Sequence, residues 1–398
     1  MNADDPLPKR HRRSGSGRSR SSRARARARR RGWMVFFAAL VGVTAVIVAG
    51  LDYLWTTERE PAAVAAAESR PDASRKPVER TAALPPLNLP ADDAPHGSAM
   101  EWWYYSGILN AEAGQRYAFH MVVFVANGLV KHTVMHAALT DLQTGKRYAS
   151  QTRTGGTPAT NVPNGFDFKE QGWQLAASPS SHVLRAGFDG ASIAFDLGVS
   201  GPAVAHRAPG SETPGLLDFG KSGISYYYSR PRLPARGSIA IAGKSLPVSG
   251  ELWFDHQWGE FDVLTLGWNW FALHLADGSD LMLYELFDVD GRKIMTAGTL
   301  SDAKGSRPLQ PGEVALLPGT TWTSPKTNIP YVVEWRIKLP SGVLNVKPFV
   351  PDSEFDSGWT TGNVYWEGPV KVSGSQEGQG FLELSGYDRL SARQSKSK

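Results

Sequence analysis

Val333-Glu334-Trp335-Arg336-Ile337-Lys338-Leu339 alternates apolar and charged side chains without a break. Successive side chains of an extended chain point to opposite faces, so this stretch reads as a β-strand with one buried face. Ser192-Ile193-Ala194-Phe195-Asp196-Leu197 repeats the pattern. Between such runs lie turn dipeptides: Asn164-Gly165, Asp189-Gly190, Asp277-Gly278 and Asp290-Gly291. No long stretch after His96 has helical spacing. Many short strands with regular turns predict an all-β body, either barrels or sandwiches.

A weak internal repeat runs through that body. Leu139-Thr140-Asp141 followed by Gly145 echoes Leu300-Ser301-Asp302 followed by Gly305. Trp103 through Gly114 to Tyr117 echoes Trp270 through Gly278 to Tyr284, and Gly237 to Ile241 echoes Gly368 to Val372. The order is kept, which predicts two similar β domains in tandem. We place them at 95–262 and 263–390, with a disordered tail at 391–398.

The N-terminal region has another character. Of the 43 Lys and Arg in 398 residues, 12 lie between Lys9 and Arg31, and Asp4 and Asp5 are the only acids before residue 32. The rest carries 31 basic and 36 acidic residues. The net charge of +5 thus belongs to the tail, and the body shows no sign of binding nucleic acid. Trp33 to Leu51 is an uncharged 19-residue run. As a helix it would span ~28 Å, close to the hydrocarbon thickness of a bilayer. Residues 1–32 therefore read as a basic, disordered cytoplasmic tail and 33–51 as one transmembrane helix. The positive-inside rule places everything after it on the extracytoplasmic, in a bacterium periplasmic, side of the inner membrane. The alternative is a cleaved signal peptide. Residues 52–94, rich in Ala, Pro and charge, read as a flexible linker.

Several chemistries are excluded. The chain has no Cys, hence no disulfide, zinc-thiolate site or thiol nucleophile. No Gly-x-Ser-x-Gly elbow, P-loop or dinucleotide fingerprint is present, so no cofactor is expected. His132 and His136 share a strand face but lack a third ligand at a telling spacing, and no metal site is expected.

Two aromatic segments remain: Glu101-Trp102-Trp103-Tyr104-Tyr105 and Trp253-Phe254-Asp255-His256-Gln257-Trp258-Gly259, followed by Trp268, Trp270 and Phe271. The 13 Trp fit an apolar pocket or ordinary packing equally well. With Tyr226-Tyr227-Tyr228-Ser229-Arg230, Leu281-Met282-Leu283-Tyr284, Trp322-Thr323-Ser324-Pro325 and Tyr365-Trp366-Glu367-Gly368, these motifs occur in an order that resembles the AttH-like branch of the CrtC/AttH superfamily. The resemblance covers roughly residues 95 to 390. It implies two tandem lipocalin-like β-barrels and an apolar ligand such as a lipid, polyene or terpenoid. One branch of that superfamily holds the carotenoid 1,2-hydratases. AttH-like members resemble periplasmic partners of a lipoprotein-export-type ABC transporter.

Two functions follow as expectations. The first is a membrane-anchored module that binds a hydrophobic ligand beside an ABC permease. The second is a hydratase-like or cyclase-like enzyme, a hydro-lyase in the first case. Hydrating an alkene needs an acid that stays protonated in an apolar site, and aromatic faces that stabilise a cation. Candidate catalytic residues are Asp255, His256, Trp258, Tyr284 and Glu285. Candidate ligand contacts are Glu101, Trp102, Trp103, Tyr105, Trp253, Trp268 and Trp270. His256-Gln257-Trp258 fits the His-x-Trp element of the hydratase pattern. Its Tyr-x-Asp element is met by Tyr284-Glu285-Leu286, without the acid at the third position. Alternation sets Asp255 and His256 on opposite faces, and the competing reading of that pair is a clamp between the two domains. Glu101 either faces a cavity or pairs with an Arg such as Arg230.

Overall fold

The computed structural model describes residues 84–396, apart from positions 129 and 158. The tail, the Trp33–Leu51 run and most of the expected linker lie outside the described residues. Among those described, no helix is long and apolar enough to cross a membrane.

The body is all-β, built from two curled, barrel-like antiparallel sheets. One has 13 strands and runs from Met100 to Phe261; the other has ten and runs from Leu266 to Ser385. In the first sheet the opening strand, Met100–Ala111, pairs with the closing strand, Lys244–Phe261. In the second, Leu266–Leu275 pairs in the same way with Gly378–Ser385. From each opening strand a meander of three further strands extends outward: Arg116–Asn127, Lys131–Asp141 and Arg147–Gly155 in the first, Asp280–Asp288, Lys293–Asp302 and Gly305–Pro308 in the second. The penultimate long strands, Gly223–Ile241 and Val364–Gly374, lie on the other side of the closing strands. The two sheets thus share one strand order. The sequence echoes fall at matching places. Leu139-Thr140-Asp141 and Leu300-Ser301-Asp302 each end a third strand, and the Gly237 and Gly368 segments each lie in a penultimate strand.

Each sheet curls around its own apolar filling. Trp103, Tyr105, Phe119, Phe195 and Phe254 fill the first; Phe271, Trp335, Trp366 and Val370 fill the second. A third cluster, with Tyr104, Tyr227 and Trp253 from the first sheet and Trp270, Met282 and Tyr284 from the second, joins the outer faces of the two sheets. The opening strand is therefore buried on both faces. Trp103 and Tyr105 point inward while Tyr104 points to the other sheet. This explains why Trp102-Trp103-Tyr104-Tyr105 is unbroken by charge where a half-exposed strand would alternate.

Two boundaries differ from the expected ones. Residues 84–94 pack on the first sheet instead of ending a free linker. Leu87 and Leu89 join its core, and buried Asp93 accepts a hydrogen bond from the Tyr228 hydroxyl and lies 3.4 Å from Arg230. The apolar spacing of Leu87 and Leu89 was outweighed in the sequence by the surrounding Pro and Asp. The expected tail at 391–398 continues a helix, Tyr387–Lys396, whose Arg393 pairs with Asp290.

Candidate functional site in the cleft between the sheets

Alternation along Lys244–Phe261 divides the central motif. Asp255 points toward the second sheet and His256 into the first. His256 stacks on Trp103, with ring centroids 4.6 Å apart, and its Nε2 lies 2.9 Å from a Glu101 carboxylate oxygen. His96 donates to the same carboxylate from its backbone N–H at 2.9 Å, and its Nδ1 lies at 2.8 Å. Burial would raise Glu101, but the hydrogen bonds from His256 and His96 bring it down to about 2. Glu101 is thus paired with histidines and not with Arg230, whose partner is Asp93. Among the described residues, His96, Glu101 and His256 are a group with metal-ligand types close together. In it both histidines hydrogen-bond to Glu101. His132 and His136 do not form a metal pair: His136 is buried, with its two ring nitrogens 3.0 and 2.9 Å from the hydroxyls of Tyr365 and Thr360.

Asp255 is held differently. It accepts hydrogen bonds from the Tyr227 hydroxyl at 2.7 Å, the Trp253 indole at 2.6 Å and the Ser229 hydroxyl. Tyr227 accepts in turn from the Trp270 indole of the second sheet, at 2.9 Å. This chain ties the sheets together. Burial lifts Asp255 to about 7 despite its three donors.

Beside that clamp the sheets part into two joined spaces. The outer one is an open cleft of about 380 Å³, walled by Met100, Phe124, Val134, Phe261 and Leu264 among others. Its volume lies at the lower end of the ~300–1,000 Å³ typical of small-molecule sites. The inner one, about 40 Å³, is lined by Tyr104, Tyr227, Asp255, Gln257, Trp270, Tyr284 and Glu367. That is room for a water or so, since one needs roughly 10–15 Å³ on the same measure. Trp102, Phe124, Trp268, Tyr365 and Glu383 line both.

The inner space is mostly apolar, but several polar groups that face it are incompletely satisfied. The Tyr104 hydroxyl, Gln257 Nε2 and Glu367 Oε1 make no well-formed hydrogen bond within the protein. Glu367 Oε1 has His120 Nδ1 at 3.2 Å. Glu367 and Glu383 sit directly opposite on paired strands. Burial raises both, Glu383 to about 7 and Glu367 well above the usual carboxylate range, and the neighbouring Glu383 charge pushes Glu367 further. Two adjacent buried carboxyls do not both ionise near neutrality, so the pair retains a proton. Glu383 is the more accessible of the two.

The expected site residues therefore separate. Asp255, Tyr284, Trp102, Trp268 and Trp270 meet at the cleft. Trp253 serves Asp255 and lines a second, polar cavity of about 220 Å³. Trp103, Tyr105, Trp258, His256 and Glu101 belong to the interior of the first sheet and are not at the cleft. Glu285 faces away from Tyr284 and pairs with Lys293 and Asn269. Glu367, Glu383, Tyr104, Tyr227, Tyr365 and Gln257 were not expected. Glu383 carried a legible signal, a lone charge in Phe381-Leu382-Glu383-Leu384.

The AttH-like family model matches residues 80–387. The chain belongs to the AttH-like family. A crystal structure of an AttH-type protein from Nitrosomonas europaea superposes with a TM-score of 0.63 at 29% identity, covering 79% of this chain and all of that one. Kievitone hydratase of Fusarium solani subsp. phaseoli is 22% identical over 293 residues, 71% of this AttH-like chain and 81% of the relative. The crystal structure of kievitone hydratase from Nectria haematococca has a TM-score of 0.63 at 19% identity, over 76% of this chain and 94% of that one, a likeness of fold.

Proposed function

We propose that this AttH-like protein is a hydratase that adds water to a carbon–carbon double bond of an apolar, polyene or terpenoid substrate lying in the cleft between the sheets. One observation carries the reading: a water-sized space with unsatisfied polar groups joins an apolar, ligand-sized cleft, and a carboxyl, Glu383, stands in their shared wall. Similarity to a protein named as a hydratase supports it.

The step balances without an oxidant or reductant. The Glu383 carboxyl gives its proton to the less substituted alkene carbon, using the π electrons for the new C–H bond. The cation left on the other carbon faces Trp268, Trp102 and Tyr365, whose ring faces attract it. A water held by Tyr104, Gln257 and Glu367 adds through oxygen and returns a proton to the carboxylate. Burial and the neighbouring Asp255 charge lift Glu383 to about 7, so it still carries a proton near neutrality.

The same proposal places the body outside the cytoplasmic membrane, tethered by the Trp33–Leu51 run, where an apolar substrate partitions. A second reading, ligand carriage, is favoured by the open cleft mouth, and handover to an ABC permease would be its further step. Incubating the protein with acyclic polyenes and terpenoids in H₂¹⁸O separates the two. Hydration gives a product 20 mass units heavier, and Glu383→Gln abolishes it while retaining ligand binding. Binding without labelled product in the wild-type protein would reject the hydratase and leave the carrier.

A further inference from the structure

Five large apolar side chains are conspicuously exposed among the described residues: Val130 at 73%, Leu264 at 62%, Trp359 at 61%, Val343 at 39% and Ile294 at 38%. They are not scattered. Leu264 lines the cleft mouth itself. Val130 lies in the turn between Arg116–Asn127 and Lys131–Asp141, whose Asn127, Gly128 and His132 line the mouth. Trp359 belongs to the loop before Val364–Gly374, whose Thr361 and Asn363 do the same. Ile294 opens the strand after Asp280–Asp288, and Asp288 is paired with Leu266 at this same end. Val343 alone is elsewhere. Its neighbour Leu344 pairs with Gly374, at the far end of Val364–Gly374. Four of the five thus project from one end of the described residues, around the opening of the apolar cleft. An apolar patch of this kind marks a contact surface.

The course of the chain points to what covers it. The first described residues lie at the same end: the Pro85 carbonyl accepts from Tyr226, three residues after Gly223, which is paired with mouth-lining Phe261. Upstream in sequence stands the uncharged Trp33–Leu51 run. Charge at this end is mixed, with Lys131, Lys221, Arg292, Lys293, Arg389 and Arg393 set against Glu260, Asp262, Asp288, Asp290 and Asp388, so attraction to it is apolar rather than ionic. We propose that the end ringed by Val130, Leu264, Ile294 and Trp359 docks into the interface of a lipid bilayer and opens the cleft directly to it. The docking concerns the surface alone; that the bilayer delivers substrate rests on the hydratase or carrier reading above.

The absence of Cys allows single labels. Leu264→Cys, Trp359→Cys and Val343→Cys in the full chain, each carrying a polarity-sensitive fluorophore, are reconstituted in uncharged phosphatidylcholine vesicles with and without shallow doxyl-labelled lipid. Labels at 264 and 359 should lose at least half their emission to doxyl lipid, and the label at 343 should lose little, in low and high salt alike. Equal quenching at all three sites, or none, overturns the proposal, as does protection at 264 that depends on protein concentration and not on lipid, the mark of a second copy. The ¹⁸O assay on the same vesicles is independent: quenching without hydration rejects the enzyme and leaves the docking surface standing.

Discussion

At the scale of the residue, the buried carboxyls have opposite duties, and their hydrogen bonds tell them apart. Asp255 is loaded with three donors that also stitch the sheets together. Removing it leaves the Trp253 indole and the Tyr227 hydroxyl without their acceptor and the Ser229 hydroxyl with His206 alone. Asp255→Ala should therefore cost about 3 kcal/mol or more, read by urea unfolding. Glu383→Gln keeps the shape, removes one member of a crowded acid pair, and should leave stability at pH 7 unchanged or slightly raised. The pH dependence follows. A carboxyl whose folded pKa is raised binds more protons folded than unfolded, so its stabilising effect is present below the unfolded value and is lost as pH rises toward the folded one. Asp255, Glu367 and Glu383 each contribute a fall in stability above about pH 4.5, set against the rise that His120, His136, His182, His206 and His256, all lowered by burial, contribute over the same range. Asp255, Tyr104, His120 and Arg147 from the first sheet and Tyr284 and Tyr365 from the second face Glu367 and Glu383 and set the local field. Glu383→Gln removes one falling contribution, so the variant should gain stability relative to the wild type as pH rises from about 4.5 to 7, measured by thermal unfolding; a constant difference would refute retention of the proton. Hydration should fall as pH rises through about 7.

At the scale of the element, closure of each sheet depends on close backbone approach between its first and last strands. A Cβ on Gly380 would sit 1.9 Å from the Ala272 carbonyl oxygen, across the pairing that closes the second sheet. Gly380→Ala should cost about 1–3 kcal/mol by forcing those strands apart, measurable as a lowered unfolding midpoint. The alternation that revealed Trp335–Leu339 as a strand worked because one face meets solvent. The opening and closing strands gave no such alternation, since both of their faces are buried, and only their aromatic content marked them. The period of two still placed Asp255 and His256 on opposite faces, as the structure has them. It could not say that one face was an interior and the other a seam between sheets.

At the scale of the molecule, the two sheets share a buried seam that includes Trp253, Trp270, Tyr284 and the Asp255 chain. Such a seam couples their unfolding. Calorimetry should show one transition for the body, and Trp270→Ala, removing a buried indole at a cost of about 3–5 kcal/mol, should split or broaden it. Two well-separated transitions in the wild-type protein would mean that the seam contributes little.

What the order of residues determined by itself was whatever depends on local periodicity and composition: the β character, the tandem repeat, the basic tail with its apolar run, and the family resemblance carried by motifs. Half of the cleft was within that reach, because Asp255, Tyr284, Trp102, Trp268 and Trp270 stand in those motifs. The other half was decided only by tertiary structure. Glu367 and Glu383 lie more than 100 positions from Asp255 and Tyr104 in sequence, and they meet them only when the outer faces of two curled sheets come together. Desolvation, which turns these ordinary carboxyls into protonated ones, is a property of that meeting, and no neighbour along the chain supplies it.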